Sequence, residues 1–167
     1  DLIIMINNNR LVLGTAQLGF HYGIANKSGK PVQTVITDII RDAWENGIKE
    51  FDTAQAYGQS EQVLGHSLRK LKLVEHAKVI TKPNPLLDHL DPYVLENAIV
   101  ASLKNIGVKQ LYGIMLHREE ILSLWHKGLA EILSKLFMKG MFQKVGVSVY
   151  SPEKAIEAIN TEGIDMV

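Results

Sequence analysis

The chain has 167 residues, 46% of them hydrophobic and 22% charged, and no cysteine. That apolar share supports one sizeable core and argues against disorder. Eighteen basic and eighteen acidic side chains cancel, so no global field recruits nucleic acid or an anionic membrane, and the lack of cysteine excludes disulfides, thiolate zinc sites and a cysteine nucleophile.

Leu2 to Ile6 is too short to cross a bilayer and lacks signal-peptide flanks, so no membrane partner is indicated and a cytoplasmic location is the default. With the Asn7-Asn8-Asn9 turn and Arg10 to Gly14 it reads as a small hairpin. Asn26-Lys27-Ser28 fits the glycosylation acceptor pattern but has no route to use without a secretory signal. Short apolar runs at Leu11–Thr15, Ile48–Thr53, Ala77–Lys82, Leu111–His117, Val145–Tyr150 and Ile164–Val167 have the length and composition of buried strands. Between the first two, Ile36, Ile39, Ile40, Ala43 and Trp44 recur at helical spacing. Leu64, Leu68 and Leu71, then Leu95, Ile99, Leu103 and Ile106, repeat the one-sided pattern. Asp91-Pro92 and Ser151-Pro152 place a capping oxygen before a proline, which predicts helix starts. Gly47, Gly107, Gly140 and Gly163 stand where a left-handed residue ends a helix.

Strict alternation of strand and helix over a single domain, 1–167, implies parallel strands with helices outside them. A closed barrel and an open doubly wound sheet both satisfy this order. Gly14 and Gly19 are spaced as in a P-loop, but Phe20-His21 stands where Lys and Ser or Thr belong, and no GxGxxG follows the first strand. The expected fold is therefore α/β of the (β/α)8 TIM-barrel type. Six strands in this length extrapolate to roughly 250 residues or fewer for eight units, so the chain is read as a partial barrel of about six strands with outer helices. Its open edge favours self-association.

Asp52 ends the second strand, Tyr57 follows in the loop, Lys82 ends the third strand and His117 ends the fourth. All project from the face where barrels carry catalytic residues. Singly, each has an ordinary structural explanation. Together they supply a carboxylate, a phenol, an ammonium and an imidazole, a set suited to protonating a carbonyl. An ammonium beside Tyr57 favours the phenolate and makes the phenol a better acid. Asp52 would fix Lys82 by ion pairing, and His117 would donate to an oxygen gaining negative charge.

Phe51-Asp52-Thr53-Ala54-Gln55-Ala56-Tyr57-Gly58-Gln59-Ser60-Glu61, with Leu64-Gly65, resembles the signature of the aldo-keto reductases. Leu13 to Gly19, Ile80-Thr81-Lys82, Leu116-His117-Arg118 and Gly146-Val147-Ser148 are similar to that family's first, lysine, histidine and fifth strands. The resemblance implies Tyr57 as general acid, Lys82 and Asp52 as groups that tune it, and His117 as the group that orients the carbonyl. It also implies hydride delivery by NADPH without a metal. Thr15, Asp52 and Ser148 correspond to positions near the nicotinamide, and Val149 stands where the family often has asparagine. The expected function is reduction of a small aldehyde or ketone to an alcohol. A catalytically inactive or regulatory protein of the same fold is the alternative, and a cofactor-free isomerase or lyase is a third.

The remaining histidines, His21, His66, His76, His89 and His126, show no metal-binding spacing and are read as packing or surface residues. Trp125, Phe137 and Phe142 are read as core. Arg69, Lys70 and Lys72 suit a helix C-terminus and solvent. Gln17 and Tyr22 follow the first strand, at the rim where a substrate would be met.

Overall fold

The structure is a computed structural model that describes residues 11–20 and 29–167. The expected hairpin strand Leu2 to Ile6, His21, Tyr22 and the Asn26-Lys27-Ser28 triplet lie outside the described residues. Five strands, β1 (Val12–Gly14), β2 (Glu50–Asp52), β3 (Lys78–Thr81), β4 (Gly113–Leu116) and β5 (Val145–Val147), form one sheet in sequential order. All four pairings are parallel. A doubly wound sheet reverses its strand order at a switch point. The unbroken order here is that of a partial barrel.

Helices α1 (Ala16–Gly19), α2 (Gln33–Glu45), α3 (Ser60–Lys70), α4 (Pro92–Ile106), α5 (Leu129–Met138) and α6 (Pro152–Ile159) connect the strands, with a 3-10 helix over Glu119–Lys127 between β4 and α5. The expected sixth strand, Ile164–Val167, is reduced to one parallel bridge, Gly146 to Met166. The reason is local. The Asp165 side chain accepts the Val145 N–H at 2.9 Å, taking a position that backbone would fill in a ladder.

The strands alternate between two environments, as the pleat requires. Phe51, Val79, Thr81, Ile114, Leu116, Val145 and Val147 are buried, and their apolar members belong to the core cluster with Ile36, Ile40, Leu64, Leu68, Leu95, Ile99 and Ile106 of the helices. Burial of a side chain such as Phe51 stabilises by about 1.5–3 kcal/mol. Val12, Glu50, Asp52, Ile80, Lys82, Met115 and Ser148 line an open cavity of 620 Å³ on the other face. The polar residues Glu50, Asp52, Lys82 and Ser148 thus belong to the concave side, whereas Thr81 faces the helices, where it bonds Glu61.

The predicted helix signals correspond to contacts. Asp91 accepts from the N–H groups of Tyr93 and Val94, Ser151 accepts from Lys154, and each is followed by proline. Gly107 caps α4 in the left-handed region at φ 83°. Arg69, expected to meet only solvent and the helix dipole, instead donates to the Ile106 carbonyl at 3.0 Å and closes the end of α4. Trp125 and Phe142 are buried as expected, whereas Phe137 is about half exposed and packs on the buried Phe142 ring, with centroids 6.2 Å apart. Helical spacing placed Phe137 near the core but could not tell which edge of α5 would be covered.

Candidate active site

The sheet register staggers the polar residues. Asp52 pairs with Ile80 and Ile80 with Gly113; Lys82 lies two residues beyond Ile80, on the same face. Met115 pairs with Gly146, so the same count brings His117 and Ser148 to the cavity side of β4 and β5. Four neighbouring strands each contribute one polar residue just at or past their carboxyl ends.

The Lys82 ammonium donates to Asp52 Oδ1 at 2.5 Å and to the Thr53 carbonyl at 3.2 Å. It stands 5.3 Å from the centroid of the Tyr57 ring, within cation–π range. Tyr57 meets His117 edge to face, with centroids 5.6 Å apart and an interplanar angle of 89°. Phe20 also meets Tyr57, with ring centroids 6.3 Å apart and tilted by 50°. All four expected catalytic residues therefore converge. Lys82 is 5% exposed, so its charge rests on Asp52.

Burial, then the positive charges of Lys82 and Arg118, hold the His117 imidazole below its ordinary pKa, and the Asp52 carboxylate opposes them. A neutral imidazole has one N–H to give and one lone pair to offer. His117 Nδ1 is buried with no hydrogen-bond partner among the described residues.

Thr15 and Ser148 differ in what they present. The Thr15 hydroxyl is fully buried and donates to the Asp52 carbonyl at 2.8 Å, while Ser60 Oγ reaches Thr15 O at 2.8 Å and Thr15 Oγ1 at 2.7 Å. Thr53 Oγ1 completes the cluster by donating to Ser60 at 3.0 Å. Ser148 lines the cavity, with its N–H donated to the Leu116 carbonyl at 2.9 Å. Val149 is half-buried beside it. Gln17 is exposed on α1.

Sequence reasoning missed residues that hold the site. Gly19 lies against the Tyr57 loop, and a Cβ there would stand 1.6 Å from the Tyr57 carbonyl oxygen. Buried Glu61 accepts from Thr81 at 2.7 Å and from Asn105 at 3.1 Å, fixing the residue before Lys82. Gln55 joins the Tyr57 loop to α4 and to Asn84. Gln55 and Glu61 both stand inside the motif, and polar residues so close to an apolar strand end were the available signal. Their partners, from 20 to 47 residues away, were not legible. Among the described residues no His, Cys, Asp and Glu group could hold a metal. No described helix is long and apolar enough to cross a membrane.

The sequence model of the Aldo/keto reductase family matches residues 10–167. Pyridoxal reductase of Arabidopsis thaliana chloroplasts is 31% identical over 80% of this chain and 42% of its own length. An NAD(P)H-dependent 6'-deoxychalcone synthase of Glycine max is 27% identical over 70% of this chain and 42% of its own. A solved aldo-keto reductase from Pseudomonas aeruginosa superposes with a TM-score of 0.75 at 26% identity, covering 91% of this chain and 60% of that one. The chain thus spans less than half of the two plant relatives. With strand order, site geometry and motifs in agreement, the chain belongs to the Aldo/keto reductase family.

Proposed function

We propose that this protein reduces an aldehyde or ketone to an alcohol with NAD(P)H, using Tyr57 as proton donor. The observation that carries the reading is the meeting of Asp52, Lys82, Tyr57 and His117 at the carboxyl ends of adjacent strands. Family membership and the cofactor named for the soybean relative support it.

The residues present fit a nicotinamide cofactor. Asp52, Lys82 and Ser148 share the wall of the 620 Å³ cavity, whose volume lies in the range of about 300–1,000 Å³ seen for small-molecule sites. Asp52 and Ser148 would touch the nicotinamide end, while Thr15, whose hydroxyl is occupied, would act by holding the Asp52 carbonyl. When bound, NAD(P)H supplies the hydride that reduces the carbonyl carbon.

The chain's own residues manage the proton and the charge. Tyr57 donates its phenolic proton to the carbonyl oxygen and becomes phenolate. Lys82, held by Asp52, stabilises that phenolate through its positive charge. Neutral His117 presents one N–H to the same oxygen, where negative charge develops as the bond to carbon is reduced. Phe20 packs against the Tyr57 ring, with centroids 6.3 Å apart.

Tyr57→Phe tests this reading, because it removes the proton and leaves the ring. Loss of positioned acid catalysis costs about 10²–10⁴-fold in turnover, with NADPH affinity unchanged by fluorescence titration. Turnover equal to the parent with the same carbonyl would overturn the assignment.

A further inference from the structure

We propose that Gln55 is a positioning residue that fixes the distance between Tyr57 and Lys82, an inference that rests on Tyr57 as the proton donor. Gln55 stands two residues before Tyr57 in the loop from β2 to α3. Its Oε1 accepts from the Asn84 backbone N–H at 2.9 Å. Its Nε2 donates to the Ala98 carbonyl at 2.6 Å and to Ser102 Oγ at 2.9 Å, both in α4. An N–H can only donate and a carbonyl can only accept, so these partners leave one orientation for the amide. Gln55 N also donates to the Lys82 carbonyl at 3.0 Å.

Gln55 thus grips the chain on both sides of Pro83, at the carbonyl of Lys82 and the N–H of Asn84, just past the Lys82 side chain, and anchors that grip to α4. Among the described residues, further polar contacts tie the ends of the loop. Thr53 and Ser60 are tied to Thr15 at its base, and Gln59 receives Lys30 at 2.7 Å. Tyr57 itself is held in a turn through Ala54. Gln55 is thus a tie that sets the loop's middle relative to β3. Without it the loop can move outward, and Tyr57 leaves the ammonium that favours its phenolate.

Among the described contacts, the charged and titratable groups against Tyr57 are Lys82 on β3 and His117 on β4, with Asp52 of β2 paired to Lys82 and Arg118 next to His117. None of them touches the Gln55 side chain among the described contacts, so a change in Tyr57 ionisation in a Gln55 variant reports distance and not loss of a charge.

The test is the tyrosinate absorbance of the full chain as a function of pH. The sequence has five tyrosines, and subtraction of the Tyr57→Phe titration isolates Tyr57. In Gln55→Leu, which keeps bulk but loses all three side-chain hydrogen bonds, the Tyr57 midpoint is expected to rise above that of the parent, because the ring moves away from the Lys82 ammonium. NADPH affinity should stay within about twofold while kcat falls about tenfold, the signature of lost transition-state alignment. If Gln55→Leu does not fold, Ser102→Ala removes one contact from the far end and should move the midpoint in the same direction by less. Midpoints coincident with the parent, in Gln55→Leu or, where that variant does not fold, in Ser102→Ala, overturn the proposal whatever happens to stability. The ionisation readout needs no turnover, so it stands apart from the reductase reading, which fails instead if Tyr57→Phe turns over like the parent.

Discussion

Replacing Asp52 by alanine removes the carboxylate that holds an otherwise buried ammonium. The Lys82 side chain is 6% exposed and the Asp52 side chain 27%, so the two partners are desolvated unequally. After Asp52→Ala, Lys82 keeps the Thr53 carbonyl at 3.2 Å but no carboxylate. Breaking a buried pair so that a charge is stranded costs about 3–5 kcal/mol, and the partial exposure of Asp52 brings the expected loss to about 2–4 kcal/mol. The reverse change, Lys82→Met, strands a carboxylate that already meets water and puts apolar bulk where the lysine stem lay, so it should cost about 0–2 kcal/mol. Urea unfolding followed by circular dichroism measures both variants, with m-values compared to keep the two-state reading sound. Lys82→Met as costly as Asp52→Ala, or costlier, would refute the reasoning, because it would mean that the ammonium is not the group that depends on its partner.

Gly19→Ala should destabilise by more than about 2 kcal/mol, since the added methyl meets backbone and not a yielding side chain; an unchanged urea midpoint contradicts the close approach of Gly19 to the Tyr57 loop. Asp91→Ala should cost about 1 kcal/mol through the lost N-cap of α4, read from the same unfolding curves, and no loss would mean that the cap is replaced. His89 is buried, with Nδ1 2.8 Å from the Leu87 carbonyl, and burial holds its pKa down against that carbonyl and Asp88. The unfolded chain therefore takes up this proton first, so the contribution is intact above about pH 6.5 and declines as pH falls through that value toward the lower folded one. His89→Leu should make the decline in urea midpoint between about pH 7.5 and 5.5 shallower; a decline of equal depth contradicts this.

Much of the fold was legible because each signal acts locally. A capping Asp or Ser before proline, a glycine after a helical run and an apolar strand of fixed length need no distant partner to be read. The site was legible for a related reason: Asp52, Lys82 and His117 interrupt apolar strands at their carboxyl ends, and a barrel brings those ends together. Contacts between distant segments were not legible. Nothing near Asp165 signalled that its side chain would take the Val145 N–H and cut the sixth strand to one bridge. The apolar character of Phe137 could not reveal that its side of α5 is exposed. Thr15 is a further case, since nothing local signalled that its hydroxyl would bond both the Asp52 carbonyl and Ser60.

Hydride transfer itself is the most direct test of the proposed reaction. The protein would be incubated with a panel of aldehydes and ketones and NADPH dideuterated at the transferable position, and the products analysed by mass spectrometry. The expected result is an alcohol with one deuterium on the former carbonyl carbon, formed by the parent and suppressed in Tyr57→Phe. An alcohol without deuterium, or a product formed equally well without nicotinamide, would contradict the reductase assignment and leave these four residues serving a different proton transfer.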